Sequence, residues 1–322
     1  KLILGILLFI GMTRLIIKKL KHNIMQINID MTAVRGARPI RNKELSDFHF
    51  HLDKNDIAIP SLEKYSTVWK EWINFSDTKS LKGLESFKHA DYTQGTSQAF
   101  DNFILRHSKD REILVLQGDF QYHACLGKHV EFKYIDYPHH LEGIIKGPGL
   151  HALLISAPFS DFGCMHPDFE QLMKICNVMD IPVCLDLAYW GISKHVHIDL
   201  NNFPAIKEVT CSLSKPFFTL ENHRVGIRFT RDYVDDGISM LNEVKMANNY
   251  SMALGVEYMR HFSPDYNWQK YILQYEHLCK DMDLVYSDSI IFALGDAERH
   301  AEFNRGIEGN YRVCISEYLS DC

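Results

Sequence analysis

The sequence lacks the signatures of several common classes of site. None of its eight cysteines forms a CxxC pair, and none of its seventeen histidines stands in an HExxH motif. It also contains no GxGxxG or GxxxxGK[ST] loop, so an unrelated doubly wound fold that binds a nucleotide is the least favoured class. We therefore expect no metal site and no disulfide framework, but buried reduced thiols in a cytoplasmic protein.

The chain also lacks an excess of positive charge and a long apolar run. Its net charge is -6, which predicts no nucleic-acid partner. The apolar run at residues 2–12 is shorter than the roughly 20 residues that span a bilayer. Its basic residues follow it, whereas those of a secretory signal precede it. We expect residues 1–24 to be a membrane-associating helix or sequence upstream of the fold, favour the second, and predict no membrane partner.

Apolar strands and helices alternate from residue 91 onward. The chain of 322 residues is 46% hydrophobic and 24% charged, which is enough for a sizeable core. Strands are predicted at residues 112–117, 130–135, 151–157, 182–187, 207–211 and 225–229, and an amphipathic helix at 167–179. Helical runs are also expected over 232–261 and 266–282, and a helix near 297–303. Apolar strands separated by helices favour an α/β fold, a three-layer sandwich with a mostly parallel sheet covered on both faces.

The segment 208–229 carries a single lysine between two predicted strands. Lys215 follows the first strand, with Ser212 three residues before it and Arg224 nine residues after it. Burial of a lysine at such a strand exit lowers its pKa and gives the neutral amine that covalent chemistry needs. The serine and the arginine are both able to bind a phosphate. The alternative is an ordinary lysine on a turn between strands.

Two further segments place polar groups where apolar strands end or helices begin. Gly95, Thr96 and Ser97 precede a predicted helix and offer backbone N–H groups and hydroxyls to an anion, although an ordinary helix cap fits them as well. Asp186 lies within PVCLDLAYWG, among residues that favour burial. A buried aspartate is rare unless it is paired; the alternative is a strand-end cap on the following helix.

Taken in order, these segments resemble the fold-type I pyridoxal-phosphate enzymes, in particular the class I/II aminotransferases. SLSK followed by HRVG resembles the cofactor-lysine segment, DLAYWG the segment that contacts the cofactor ring, and GTSQAFD the phosphate-binding turn. ISAPFSDFG departs from the family because Ser160 and Asp161 stand where asparagine and proline are usual. The spacing from Lys215 to Arg224 is one residue longer than usual, and Pro216 is uncommon at its position.

The resemblance implies a set of site residues. Lys215 would hold pyridoxal 5'-phosphate as a Schiff base and then act as general base. Asp186 would keep the ring nitrogen protonated, Tyr189 and Ser160 would contact the 3' oxygen, and Arg312 would bind the substrate carboxylate. Phe120, with Tyr122 and His123 as alternatives, would stack on the ring. The residues implied to bind the phosphate are Gly95, Thr96, Ser97, Ser212 and Arg224.

The resemblance also implies a function and a domain plan. The expected activity is amino-group transfer from an amino acid to a 2-keto acid by a homodimer. A lyase, decarboxylase or racemase on the same fold and a non-catalytic binding relative are the alternatives. We expect a leader at 1–24, an N-terminal arm and part of the small domain at 25–85, a large cofactor-binding domain at 86–235, and linking helices with a small α/β domain at 236–322. The small domain is shorter than is usual in the family.

Overall fold

The computed structural model describes residues 37–52, 57–120, 122–123, 130, 132–135 and 149–321. The expected leader at 1–24 and two cysteines, Cys125 and Cys322, lie outside these ranges. The helices of the described residues are α1 Lys43–His51, α2 Leu62–Asn74, α3 Thr96–His107, α4 Phe169–Val178, α5 Gly237–Glu243, α6 Asn249–His261 and α7 Tyr266–Asp281. Short 3₁₀ turns are Leu84–Ser86, Trp190–Ile192, Leu200–Asn202, Phe218–Leu220 and Ala301–Phe303.

A seven-stranded sheet forms the centre of the fold, in the order β2-β9-β8-β6-β5-β3-β4. Strand β9 runs antiparallel to both of its neighbours, and the other strands all run in one direction. The strands are β2 His89–Gln94, β3 Glu112–Leu116, β4 Phe132–Ile135, β5 His151–Ser156, β6 Val183–Asp186, β8 Ile206–Ser212 and β9 Val225–Thr230. The predicted mostly parallel sheet is therefore confirmed.

Side chains that alternate along the strands create the layers. In β3, Ile113 and Val115 pack with Phe100 and Phe103 of α3 on one face of the sheet. Leu114, the residue between them, belongs to the larger cluster on the opposite face, which also includes residues of α2, α4 and α6. Both faces are buried because successive side chains of a strand point to opposite sides. The three-layer α/β sandwich expected from the sequence is thus confirmed.

A smaller antiparallel sheet follows in the chain. Its order is β10-β11-β12, with β10 Val285–Tyr286, β11 Phe292–Leu294 and β12 Arg312–Cys314. It shares an apolar cluster with α7 and with residues just after β6. A separate pair, β1 Ser80–Lys82 and β7 His197–Asp199, is parallel.

Two predicted helical regions differ from the structure. The helix expected near 297–303 is only the 3₁₀ turn, because the chain becomes extended at Asn304, which pairs with Tyr311. The helical run expected over 232–261 is interrupted between α5 and α6. Lys245 has a φ of 58° at this break, and Asn248 then caps α6 by accepting from the Ser251 N–H at 3.0 Å.

Neither a membrane span nor a metal-ligand cluster is found in the described part of the chain. No helix there is both long and apolar enough to cross a membrane. Over the same residues, no group of three or more His, Cys, Asp or Glu side chains is arranged to hold a metal ion.

Candidate active site

A cavity of about 560 Å³, open to solvent, lies where the parallel strands end. Its walls come from the residues that follow β2, β3, β5, β6 and β8 and from the residue that precedes the antiparallel β9. The carboxyl ends of parallel strands meet at one edge of a sheet, which is the usual position of a ligand site in open α/β folds. The lining residues are Thr96, Ser97, Phe120, Ser156, Pro158, Ser160, Asp186, Ala188, Tyr189, Ser212, Ser214, Lys215 and Arg224.

The structure brings the predicted site residues together. Apart from Gly95 and Arg312, all of them line this cavity. Gly95 contacts the Arg224 side chain, and Arg312 contacts Ser160 and Tyr189. Their placement is therefore observed, whereas their individual roles stay predictions.

Lys215 follows strand β8 and extends its amine into the cavity. Burial lowers the pKa of this amine to about 8, and the guanidinium groups of Arg312 and Arg224 also lower it. The charge of Glu221 acts in the opposite direction. The Nζ atom donates to the backbone carbonyl of Ala37, so the N-terminal segment reaches the site. A neutral amine is thus accessible near neutral pH, as covalent catalysis by lysine requires.

The end of the cavity near α3 is built to accept an anion. Gly95 precedes α3 with a φ of 71° and gives that helix no side-chain cap, and the first N–H groups of a helix have no partner within it. The Arg224 guanidinium donates to the Ser97 hydroxyl at 2.9 Å and to the Gln94 carbonyl at 3.4 Å. On the other side, the Ser212 hydroxyl accepts from the Ser214 N–H at 3.2 Å. Helix N–H groups, hydroxyls and a guanidinium are the donors that bind phosphate.

Asp186 is a buried carboxyl that also lines this cavity. It is the last residue of β6 and is 6% exposed. Its Oδ1 atom accepts from the Ala188 N–H at 2.8 Å, which forms a turn, but the following 3₁₀ turn Trp190–Ile192 has no side-chain cap, so the suggested helix cap is not formed. Burial raises the pKa of Asp186 to about 8, and the charge of the neighbouring Asp119 raises it further, against a lowering effect of Lys215. A cationic partner in the cavity would stabilise the ionised form.

Phe120 is the one of the three candidate aromatic residues that lines the cavity. Tyr122 instead donates to the Asp101 carboxylate at 2.9 Å. His123 packs against Phe100 at a ring distance of 5.1 Å, and burial lowers its pKa to about 3. The first choice made from the sequence therefore has the position needed to stack on a flat ligand.

Tyr189, Ser160 and Arg312 form a connected group. Nη1 of Arg312 donates to the Ser160 carbonyl at 2.8 Å and to the Tyr189 hydroxyl at 3.3 Å. The Arg312 guanidinium lies over the Phe292 ring, 4.4 Å from its centre. Arg312 is 1% exposed and begins β12. A residue of the small sheet therefore contacts Ser160, which follows β5 of the large sheet.

Sequence reasoning missed part of the wall and its support. The missed lining residues are Ser156, Pro158, Ala188 and Ser214. Ser156 ends β5 and Asp119 follows β3, so the rule that ligands lie at strand ends could have identified both. Asp119 accepts from the Ser156 N–H at 3.0 Å and from its hydroxyl at 2.5 Å. Arg305 also supports the wall, but its loop carries no sequence signal.

Comparison with known proteins gives matches to solved structures only. No protein-family model matches the chain, and no curated protein does. The tyrosine aminotransferase of Leishmania infantum is 15% identical with a TM-score of 0.62, over 93% of this chain and 95% of that one. The PLP-bound C-S lyase of Staphylococcus hominis is 12% identical with a TM-score of 0.61, over 92% of each chain.

A third structure extends the same comparison. The aromatic aminotransferase of Pyrococcus horikoshii is 14% identical with a TM-score of 0.62, over 89% of this chain and 91% of that one. Matches of this kind, at 12–16% identity, support shared architecture. Because folds host many chemistries, they carry no specific activity with them. The fold expected from the motifs is confirmed, and the chain has the fold-type I, aminotransferase-like fold.

Proposed function

We propose that this protein is a pyridoxal-phosphate enzyme that acts on an amino acid, and that its reaction is amino-group transfer to a 2-keto acid. One observation carries the proposal. A single cavity places the Lys215 amine, the Asp186 carboxyl and the anion-binding group around Arg224 at separate positions on its wall. A flat cationic ring with an aldehyde and a phosphate would need all three: an amine for the aldehyde, a carboxylate for the cation and donors for the phosphate.

The residues present fit this cofactor on structural grounds. Asp186 is a buried carboxyl whose pKa is raised to about 8, and a positively charged ring nitrogen would offset the cost of its burial. A Cβ atom at position 95 would lie 2.7 Å from Nη2 of Arg224, so only glycine leaves that guanidinium in place. Several neighbours of the same fold are PLP-bound in their solved structures.

The side chains of this chain would divide the chemistry among them. When bound, the cofactor supplies an electron sink for the bonds at the substrate α-carbon. Asp186 would hold the ring nitrogen, Tyr189 and Ser160 would contact the 3' oxygen, and Phe120 would cover one face of the ring. Lys215 would hold the cofactor covalently and, once released, would move the proton at the α-carbon. Arg312 would orient the substrate through its carboxylate.

Two alternatives follow from particular observations. The similarity to a C-S lyase, with a TM-score of 0.61, is close to that of the tyrosine aminotransferase, with a TM-score of 0.62, so a lyase or decarboxylase is the second candidate. Ser160 stands where the family usually has asparagine, which favours a non-catalytic relative as the third. Product analysis separates them, because a lyase releases product from an amino donor alone, whereas an aminotransferase needs a keto acid to turn over.

The first experiment is an absorption spectrum of the purified protein with added pyridoxal phosphate, before and after borohydride. We expect a band near the visible edge that borohydride removes, with pyridoxyl mass on the peptide that contains Lys215. Lys215→Ala should lack both, and Lys174→Ala, which changes an exposed lysine, should retain them. If the wild type shows no band, or if Lys215→Ala keeps it after dialysis, the proposal is wrong.

Assembly and location are proposed on the same basis. The family resemblance supports a homodimer, which sedimentation analysis of the wild-type chain would test. Six of the eight cysteines are described, and all six are free. Free thiols support the predicted cytoplasmic location, since cytosolic thiols are kept reduced.

A further inference from the structure

A second arginine, Arg305, supports the wall of the cavity without lining it. Its side chain is fully buried. It lies in the loop 304–310 of the small domain, directly before β12. A buried guanidinium needs both a counter-charge and hydrogen bonds. The partners of Arg305 therefore show which groups it holds in place.

Arg305 contacts backbone and side-chain groups of Asp119, Ser160 and Asp161, which follow strands β3 and β5. Nη1 donates to the Ser160 carbonyl at 3.1 Å and Nη2 donates to the Asp119 carbonyl at 3.2 Å. The counter-charge is Asp161, whose Oδ1 atom lies 3.4 Å from Nη1. Asn310 fixes this carboxylate by donating to Oδ2 at 2.6 Å. Ser160 and Asp161, the pair that replaces asparagine and proline, thus both face Arg305.

The Ser160 carbonyl is shared between two arginines. It accepts from Nη1 of Arg312 at 2.8 Å as well as from Arg305. Two like charges at one oxygen repel each other, and burial together with the charge of Arg312 lowers the pKa of Arg305 to about 10. Asp161 lies where it offsets that repulsion. The position of Arg312 therefore depends on how Arg305 and Asp161 hold the Ser160 wall.

The loop that carries Arg305 is itself attached to the large domain. Gln117 donates to the Gly306 carbonyl, and the Ile307 side chain lies over Gly118. Within the loop, Asn304 donates to the carbonyls of Ile307 and Asn310 at 2.6 and 3.0 Å. These contacts hold Arg305 in place before any ligand binds, which is the condition for positioning another side chain.

We infer that Arg305, paired with Asp161, is a positioning residue that orients Arg312 for the carboxylate of the substrate. This inference rests on the proposed function, since that function assigns the carboxylate to Arg312. Arg305 itself contacts neither cofactor nor substrate in this arrangement. Its loss should therefore weaken the binding of a carboxylate while leaving the binding of an amine unchanged.

The test compares two small probes on the cofactor-loaded protein. Propionate carries only the carboxylate and n-propylamine only the amine. For Arg305→Met we expect the propionate affinity to fall about tenfold, the scale of one lost hydrogen bond to a charged group, with the n-propylamine affinity unchanged within twofold. Arg305→Lys, which keeps the charge but is able to reach only one carbonyl, should give an intermediate loss. Arg299→Met, which changes a more exposed arginine of the small domain, is the control.

A double variant separates positioning from folding. Arg305→Met leaves Asp161 buried without its counter-charge, so it should lower the unfolding temperature. In Arg305→Met with Asp161→Asn that charge is also removed, and we expect the unfolding temperature to recover while propionate affinity stays low. If the double variant binds propionate like the wild type, or if Arg305→Met weakens both probes equally, Arg305 has only a structural role and the inference is wrong.

A failure of the Arg305 inference is distinguishable from a failure of the proposed function. Borohydride mapping of Lys215 in the wild type tests the cofactor before any variant is made. Propionate binding is measured by calorimetry with pyridoxal phosphate present. Calorimetry needs no visible band, so the same measurement is made whether or not borohydride mapping finds the cofactor on Lys215. A wild type that binds the cofactor but shows no Arg305 dependence overturns only this inference.

Discussion

At the scale of single residues, the site depends on two groups whose charged forms are destabilised by burial. The Asp186 carboxyl has a pKa raised to about 8, and the Lys215 amine has a pKa lowered to about 8. Near neutral pH both groups are thus close to the point at which they change charge. Strongly shifted groups that share a cavity are typical of functional sites.

The raised pKa of Asp186 predicts how the cofactor-free protein responds to pH. Its folded pKa lies above the usual value of about 3.9, so its contribution to stability is complete at low pH and is lost as the pH rises from about 4 to about 8. Asp186→Asn should remove this loss, so its stability relative to the wild type should rise by roughly 5 kcal/mol between pH 4 and pH 8, since one pKa unit is worth about 1.4 kcal/mol. Urea unfolding at several pH values measures the difference.

The matched control for that prediction is Glu170→Gln, which changes an exposed carboxylate of α4. It should follow the wild type at every pH. With cofactor bound, the wild type should be more stable than Asp186→Asn, because the wild type then has a cation against Asp186. An Asp186→Asn protein that loses as much stability between pH 4 and 8 as the wild type would contradict the burial argument.

The lowered pKa of Lys215 predicts its reactivity. Its neutral amine should appear with a midpoint near pH 8, whereas an ordinary lysine titrates at about 10.4. Reductive methylation of the cofactor-free protein, followed peptide by peptide with mass spectrometry, gives the pH profile. The peptide that contains the exposed Lys174 is the internal control. Identical profiles for the two peptides would show that Lys215 is not desolvated.

At the scale of elements, the turn between β2 and α3 combines a positive φ with close contact. A Cβ atom at position 95 would lie 2.7 Å from Nη2 of Arg224 and 3.0 Å from its Cζ. A methyl group there would displace the guanidinium from Ser97. We expect Gly95→Ala to raise the dissociation constant for pyridoxal phosphate about tenfold, which corresponds to the loss of one charge-assisted hydrogen bond.

Gly149→Ala is the control for this element. Gly149 also has a positive φ, 76°, but a Cβ atom there would meet nothing within 4 Å. Both substitutions thus place a side chain at a positive φ, and only Gly95→Ala carries the clash. Gly95 also has a ψ of -178°, in a region that is essentially restricted to glycine, so its variant carries the larger backbone strain. Cofactor titration followed by absorbance measures both. Equal weakening in the two variants would mean that strain, and not the position of Arg224, limits binding.

At the scale of the whole molecule, a buried charge network holds the antiparallel edge of the sheet. Nη2 of Arg228, in β9, lies 2.7 Å from Asp91 of β2, and Nη1 lies 2.5 Å from Asp236 at the start of α5. Arg106 of α3 extends the network to Glu208 of β8 and to Asp236. The network therefore joins strands and helices on the side of the fold that carries the anion-binding end of the cavity.

Removal of the central charge should destabilise the fold as a unit. Arg228→Met leaves two carboxylates without their main partner, and we expect a loss of about 3 kcal/mol in the free energy of unfolding. Arg260→Met is the control, because it breaks a partly exposed pair with Glu257, a class that is worth about 0–1 kcal/mol. Urea unfolding compares the two. A loss in Arg228→Met no larger than in Arg260→Met would contradict the role given to the network.

The sequence by itself determined six of the seven strands of the large sheet, the strand ends that carry the site and most of the cavity wall. Short apolar runs that alternate with helices predict the strands, because a strand that is buried on both faces needs continuous hydrophobic residues. A polar residue at the end of such a run, like Asp186, Ser212 or Lys215, then falls at the edge where parallel strands end. These inferences need only the local pattern and the rule that ligand sites lie at the carboxyl ends of parallel strands. They therefore require no knowledge of long-range contacts.

Only the tertiary structure decided which distant residues support the site. Arg305 lies 145 residues beyond Ser160, and no local pattern relates the two. The contact of Ala37 with Lys215 spans 178 residues and is equally invisible in the sequence. The 3₁₀ turn at Ala301–Phe303 replaced an expected helix because the chain becomes extended at Asn304, which pairs with Tyr311. Contacts between the large and the small sheet depend on how the sheets pack together, and that packing is set by the whole chain rather than by any one segment.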